Sequence, residues 1–461
     1  MIYNNNKEEI LKAVNYIAEP VLATYGPDGH NIIVRDPDKT FITKDGVSVA
    51  KSIHSHNPLH SVIIELVKEA CLLTDKNAND GTTTSMLFTK IILEEGLKES
   101  TNGIGLKRTL DKDLEVILKA IDKKKYSNFK PYDVALTSSN GDKEISKLIS
   151  KAFSIPNTSV IYRKDDKSDI ITHEFIKGYS VTGEVFDSNY NYVNQLYKPA
   201  IHIVTGKITN FLKFSNKLSL MTRNVKNHVI FAEDFSEDVL KTIYSNRDSF
   251  NVICLRLPGI SKGRESTTKN MMAYTDSPSQ DPITWYETSN INQIQEFKVD
   301  QGVINFINST EHKLFQERMT FLNNELNKSD GFAKQSIQDV ISKFNSGISI
   351  INIGTSSDIE YRNIHDKIED AIGAVKSANK EGVVLGGGMT AYELSMELKN
   401  IHPILRKVLK STYEYLDHGL TSIQLEDQGI YDATLVLKQS LINSIAVAGT
   451  ILTTNTIIVN E

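Results

Sequence analysis

The spacing of apolar residues divides this chain into helical ends and a mixed middle. Ile10, Leu11, Val14, Ile17, Ala18 and Leu22 form one stripe and predict a helix over residues 7–24. Residues 59–78 and 104–124 also read as helices, and Met86, Leu87, Phe88, Ile91, Ile92 and Leu97 predict another over 82–99. Gly26-Pro27-Asp28-Gly29 is a turn signal, and residues 31–35 and 40–43 predict a hairpin around Asp36-Pro37-Asp38. The middle differs. Residues 200–204, 229–232, 252–257 and 348–353 are short β-branched runs, and helical patterns at 210–226 and 236–246 separate several of them, which predicts an α/β or α+β domain. Apolar positions over 312–327 and 332–344 predict two antiparallel helices joined near Ser329-Asp330-Gly331. Helices return at 359–379, 389–398 and about 432–448. The ends therefore share one character, and the middle is inserted between them.

With 461 residues the chain exceeds one ordinary core, and a length of roughly 100–200 residues per domain implies about three. The net charge of −5 leaves no basic excess for nucleic acid as the main partner. The most apolar stretch, 441–459, is interrupted by Asn443, Ser444, Thr450, Thr453, Thr454 and Asn455, which predicts a buried helix followed by a strand and no membrane partner. Cys71 and Cys254 lie far apart and have neither disulfide-framework nor zinc spacing. With a start at Met1 that lacks the pattern of a signal peptide, they predict a cytoplasmic protein.

The strongest chemical signal is Asp80-Gly81-Thr82-Thr83-Thr84, directly before the 82–99 helix. The first amides of a helix lack internal partners and attract phosphate oxygens. Gly81 lets a phosphate approach the backbone, the threonines add donors, and Asp80 offers the hard oxygen that Mg²⁺ prefers. Thr24-Tyr25-Gly26-Pro27-Asp28-Gly29, Thr43-Lys44-Asp45-Gly46 and Gly386-Gly387-Gly388 are each, taken alone, turns that could face a phosphate or nucleotide. Asp370 lies in a helical pattern, where an aspartate is ordinarily a surface charge. His54, His56 and His60 fit no helix or strand ligand spacing and predict no metal site.

In order and spacing these turns resemble the group I chaperonins, the bacterial GroEL family: T-Y-G-P-D-G at 24–29, F-I-T-K-D-G-V-S-V-A at 41–50, N-D-G-T-T-T at 79–84 and E-G-V-V-L-G-G-G at 381–388. Thr137-Ser138-Ser139-Asn140, Ile368-Glu369-Asp370-Ala371 and Gly429-Ile430-Tyr431-Asp432 match as well. The resemblance runs nearly end to end and is weakest in the middle.

The resemblance implies a multidomain α and α/β fold: a helical equatorial domain from both ends (1–126 and 381–461), an intermediate hinge domain (127–170 and 356–380) and an inserted α/β apical domain (171–355). It implies an ATP-dependent chaperonin, an ATPase whose subunits form a homo-oligomeric ring of seven around unfolded polypeptide, with a co-chaperonin as a further partner. ATP and Mg²⁺ are the implied cofactors, with K⁺ a further candidate. Thr24, Tyr25, Gly26, Pro27, Lys44, Asp80, Gly81, Thr82, Thr83, Thr84, Ser138, Gly386, Gly387, Ile430 and Asp432 fall on nucleotide-contacting positions, Ile430 and Asp432 at the base and ribose. Asp80 falls on the metal-ligand position. Asp370 falls where the attacking water is oriented, and Asp45 on a second carboxylate near that water. Asp370 would stay away from ATP until the hinge closes. Tyr179, Leu218, Leu240 and Tyr244 fall on or near polypeptide-binding positions, while Ser215 and Ser245 stand where the family usually has apolar residues.

The chain departs from the family between Gly388 and Asp432, a span of 44 positions (432 − 388) where the family has several tens more. The turn that normally touches the adenine base is missing there, with contacts between back-to-back rings. Weaker or absent pairing of double rings is therefore expected, a single ring being the limiting case, and so compact a member fits a virus-encoded origin. Two other readings use the same turns: a holdase or structural ring that hydrolyses little, and a soluble phosphotransferase. Retention of Asp45, Asp80 and Asp370 favours hydrolysis, and no separate small-molecule catalytic set supports the phosphotransferase.

Overall fold

The computed structural model describes residues 2–4, 7–35, 40–99, 102–155, 158–166, 168–183, 193–223, 225–259, 261–288, 292–300, 302–308 and 312–459. The chain forms two compact units. One comprises residues 1–151, 164–172 and 352–461, the other 152–163 and 173–351. Both chain ends and most of the two segments expected to form a hinge domain thus belong to the first unit, while residues 152–163 of the first segment belong to the second.

The first unit is built on helices. The most apolar, Thr434–Thr453, packs against Pro58–Ala78, Thr82–Glu99 and Gly103–Lys124. It is long and apolar enough to cross a membrane by length and composition. Here it lies in the core, with Leu441, Ile445, Ala448 and Ile451 buried, and the strand Thr456–Ile458 follows it. The Lys7–Leu22 stripe joins the same core through Ile10, Val14 and Ile17. Three small antiparallel pairs complete the unit: Ile2–Asn4 with Thr456–Ile458, Ile32–Arg35 with Thr40–Thr43, and Val383–Leu385 with Tyr431–Ala433. The hairpin appears where the alternation placed it; the Asp36-Pro37-Asp38 turn lies outside the described residues.

The second unit contains a parallel sheet in the order Asn251–Arg256, Asn227–Ala232, Ala200–Val204, Ser279–Gln280. Both faces are buried, as expected for parallel strands. Ile201, Ile203, Val229, Phe231, Ile253 and Leu255 face one core. Val204, Ile230, Ala232, Val252 and Cys254 face the other, under the helices Phe211–Met221 and Glu237–Ser245. An antiparallel sheet, Gly178–Thr182, Val303–Ile307, Glu296–Asp300, Gln195–Tyr197, lies against the first core. Lys313–Lys328 and Gly331–Ser346 form the expected helix pair.

A carboxylate-lined cavity as the candidate functional site

A cavity of about 540 Å³ opens in the helical unit, with residues from both chain ends in its walls. Asn79 takes a left-handed conformation at the end of Pro58–Ala78, and Gly81 (φ +92°) turns the chain into Thr82–Glu99. A Cβ on Gly81 would lie 2.7 Å from Val436 Cγ1 and 2.9 Å from Ser440 Oγ, so only glycine fits. A buried hydroxyl network holds this turn from behind. Ser85 Oγ and Asn443 Nδ2 both donate to Thr74 Oγ1, at 2.8 and 2.9 Å, and Ser440 Oγ donates to the Gly81 carbonyl at 3.4 Å. In front, the Thr82 hydroxyl is buried without a hydrogen-bond partner, and Tyr25 Oη and Thr84 Oγ1 are 2.6 Å apart. An orphaned buried hydroxyl at a helix start is costly unless a ligand oxygen meets it.

The opposite wall is the glycine run. Gly386 leaves 3.1 Å between its Cβ position and Asp432, and Gly387 (φ +62°) leaves 2.8 Å to His418 Nε2. Asp432 is held by the Gly387 and Gly388 amides, yet desolvation pushes its carboxyl up to about 6. Asp80 accepts from the Gly81 amide and is raised to about 7, by desolvation first and then by the charges of Asp432 and Asp75. Asp370 is raised well above the usual carboxylate range, by desolvation and then by Asp80 and Asp45. Asp75 is raised by desolvation and then by the charges of Asp45 and Glu369. The Ser138 hydroxyl faces Asp80 without forming a well-made hydrogen bond. Among the described lining residues the only lysine or arginine is Lys44, whose Nζ donates to the Pro27 carbonyl at 3.1 Å. Asp45 has a structural duty as well: its two oxygens accept from Val47 and Ser48 amides at 3.0 and 2.8 Å and cap the helix Gly46–Ser52.

All fifteen expected nucleotide positions except Gly386 are among the lining residues, and Gly386 sits directly behind Asp432. Asp370 departs from expectation. It already lines the cavity, because its helix, Asp358–Glu381, is docked on the phosphate turn. A Cβ on Gly373 would lie 2.3 Å from the Asn79 carbonyl, and Ser377 Oγ donates to the Ala78 carbonyl at 2.5 Å. Sequence reasoning missed Asp75 and the stretch from Thr412 to Gln428. Asp75 could have been found one helical turn before Asn79-Asp80.

In the α/β unit the polypeptide-binding residues need correction. Tyr179, Leu218 and Leu240 are core side chains, with 3%, 4% and 4% of their surface exposed. Tyr179 stacks among Tyr274, Phe306 and Phe344, while Leu218 and Leu240 pack under the parallel sheet with Phe214. Only Tyr244 is exposed, with Arg247 over its ring. The exposed apolar residues of the same helix as Leu218 are Phe211, Leu212 and Leu220.

The sequence profile of the TCP-1/cpn60 chaperonin family matches residues 17–256. A chaperonin GroEL 1 from Prochlorococcus marinus is 28% identical over 511 aligned residues, covering 98% of this chain and 87% of that protein. A chaperonin GroEL 3 from Psychromonas ingrahamii is 27% identical, covering 86% of this chain and 77% of its own length. Among solved structures, the chaperonin gp146 from the bacteriophage EL 2 (Pseudomonas aeruginosa), crystallised in the presence of ATP-BeFx, superposes with a TM-score of 0.72 at 17% identity, covering 100% of this chain and 99% of that one. A second crystal form of it gives 0.66. The cavity, the inserted α/β unit and these likenesses agree: the chain belongs to the TCP-1/cpn60 chaperonin family and is an ATP-dependent, GroEL-like chaperonin.

Proposed function

We propose that this cavity binds ATP with Mg²⁺ and hydrolyses it to drive refolding of captured polypeptide. One observation carries the reading. Asp45, Asp75, Asp80, Asp370 and Asp432 converge with the unpartnered Thr82 and Ser138 hydroxyls on a glycine-walled space that offers a single lysine. Such a donor set fits a hard cation and phosphate oxygens, which relieve both the carboxylate repulsion and the orphaned hydroxyls. Asp80 would hold Mg²⁺, which when bound neutralises charge on the phosphates; K⁺ is a further candidate for the same carboxylates. The amides at Gly81–Thr84 and the side chain of Lys44 would receive phosphate oxygens, the Thr24–Pro27 turn and Gly386-Gly387 would flank the nucleotide, and Asp432 would accept from the ribose hydroxyls. Asp370 would orient the attacking water for in-line attack on the γ-phosphate, with Asp45 nearby. Burial and the neighbouring carboxylates raise the affinity of Asp370 for a proton, which suits a group that takes one from the attacking water.

Capture of unfolded polypeptide would fall to the exposed apolar residues of the α/β unit, Phe211, Leu212, Leu220 and Tyr244, because burial of apolar surface is tolerant of sequence. The ring of seven, the co-chaperonin, the intermediate hinge domain and a cytoplasmic setting come from the family resemblance. The shortened 388–432 segment argues for a single ring, and the phage chaperonin's likeness fits a phage-encoded origin. The test is recovery of a denatured enzyme with ATP, with and without a co-chaperonin. Recovery that requires ATP and is lost in Asp370→Ala supports the reading; equal recovery without ATP would leave a holdase.

A further inference from the structure

The helix that carries Asp370 is held at two places, and only one of them is the phosphate turn. Behind Asp370, Gly373 and Ser377 dock Asp358–Glu381 on Ala78 and Asn79. Ahead of it, the same helix meets the strand Thr40–Thr43. The two periodicities match there. Residues 41 and 43 lie on one side of the strand, and residues 362, 366 and 370 share one face of the helix. The Arg362 guanidinium lies 5.1 Å from the centre of the Phe41 ring, and Thr43 Oγ1 donates to Asp366 Oδ2 at 3.3 Å. Asp370 is the next residue in that row, one turn or about 6 Å further along the axis.

The Thr43 side chain is buried, and its hydroxyl oxygen also accepts from the Asp45 amide at 3.0 Å. The hydroxyl is therefore used in both directions. Asp45 is fixed in turn, because its two oxygens cap Gly46–Ser52. Asp366 is fixed from its other side. Its second oxygen lies 3.2 Å from His365 Nδ1, and since a carboxylate only accepts, the imidazole N–H donates. The next residue, Lys367, reaches Asp142 Oδ2 at 3.1 Å and holds the same turn of helix to the segment before Lys143–Ala152. Three groups in series, the Asp45 amide, the Thr43 hydroxyl and the Asp366 carboxylate, thus join the loop bearing one cavity carboxylate to the helix bearing another. Thr43 and Asp366 themselves do not line the cavity.

We propose that the Thr43–Asp366 hydrogen bond sets the register of Asp370 against Asp45, and that both residues are positioning residues for attack on the γ-phosphate. The inference rests on the reading of Asp370 and Asp45 as the carboxylates beside the attacking water. An anchor behind Asp370 alone leaves the helix free to pivot about it, and a second hold ahead of Asp370 removes that freedom. Phosphoryl transfer depends on placement more than on covalent chemistry, and a misplacement of about 1 Å can cost about 100-fold in rate.

Steady-state ATP hydrolysis and calorimetric titration with ADP, both on the full chain with Mg²⁺, test this. Thr43→Val keeps the shape and removes the hydroxyl. Asp366→Ala removes the acceptor and, with it, a negative charge that acts on Asp370. Each should lower kcat about 10- to 100-fold while KM and ADP affinity stay within about twofold. Thr43→Ser keeps the hydroxyl and should restore kcat to within about threefold of wild type. The double variant Thr43→Val with Asp366→Ala should be no slower than Asp366→Ala by itself, because both substitutions break one bond. A kcat unchanged within about twofold in either single variant would overturn the proposal. So would losses that multiply in the double variant, a Thr43→Ser chain as slow as Thr43→Val, or a fall in ADP affinity that matches the fall in kcat. A wild-type chain that binds no ADP, or binds it without hydrolysing ATP, would instead overturn the reading of the cavity beneath it.

Discussion

Each unit contains a cluster of buried or half-buried titratable groups, and the two clusters are satisfied in opposite ways. In the α/β unit, His202 and His228 point to the same face of the parallel sheet as Trp285. Trp285 Nε1–H can only donate, so His202 Nδ1 accepts, at 3.3 Å. His202 Nε2–H then donates to His228 Nδ1 at 3.1 Å, and His228 Nε2–H donates to the Val225 carbonyl at 2.9 Å. Every polar atom of the chain of rings has a partner, and no atom is left for a ligand. In the helical unit the carboxylates crowd one another, and hydroxyls beside them have no partner. Closed networks of this kind specify a core, whereas an unfinished one reserves a place for what binds there.

The comparison can be broken at several points, and the largest effect should be kinetic. Asp370→Ala should leave nucleotide binding intact and lower steady-state ATP hydrolysis by about 10²–10⁴-fold, the weight of a positioned base; unchanged turnover would remove Asp370 from the chemistry. Next is core packing. Leu218→Ala should cost the α/β unit about 2–5 kcal/mol in urea unfolding, because a buried leucine is truncated to a cavity. A near-zero cost would restore Leu218 to the capture surface.

The histidine pair supplies a pH effect. Burial lowers His202 to about 3 and lowers His228 as well, with the Lys217 charge opposing protonation of both. The unfolded chain therefore binds protons below about pH 6.5 that the folded unit refuses, and stability falls as pH falls through that range. Between about pH 7.5 and pH 5 the loss should be about 2 kcal/mol for His202 alone. Trp285 is the only tryptophan and touches His202, so its fluorescence reports this unfolding directly. The carboxylate cavity has the opposite sign. Asp80 is raised to about 7 and Asp370 is raised as well, so the empty site is relieved by acid and loses stability as pH rises above the usual carboxylate range, and nucleotide with Mg²⁺ should stabilise it most at the alkaline end.

The smallest effect on stability should come from Leu212→Ser with Leu220→Ser, within about 0.5 kcal/mol because both are exposed. The double variant should nevertheless lose suppression of aggregation of a denatured client, measured by light scattering. Retained suppression would place capture elsewhere.

What was legible in the sequence follows from how local each signal is. The 80–84 turn could be read from its own residues, because a glycine at positive φ, a helix start and a hard oxygen all lie within five positions. The strands at Ala200–Val204 and Ile348–Ile353 were legible because β-branched runs buried on both faces leave little alternative. Asp370 was legible only through the family resemblance, since nothing in a helical aspartate tells which helix will face it. The substrate residues failed because an apolar helix position fits a core as well as a groove. In Phe211–Met221 the stripe through Phe214, Leu218 and Met221 turned inward, which left Leu212 and Leu220 outside. The cavity-lining stretch from Thr412 to Gln428 was invisible because a connector of short helices carries no periodicity, and its shape comes from Tyr415 and His418 reaching residues far away in sequence.

The docking of Asp358–Glu381 on the phosphate turn decides where Asp370 sits. The Ser377 anchor and Asp370 are seven residues apart, about 10 Å along the axis. Gly373 lies between them, so close to the Asn79 carbonyl that a Cβ would stand 2.3 Å away. A side chain at position 373 would therefore act as a wedge, prising the Asp370 end of the helix off the turn while the Ser377 end kept its hold.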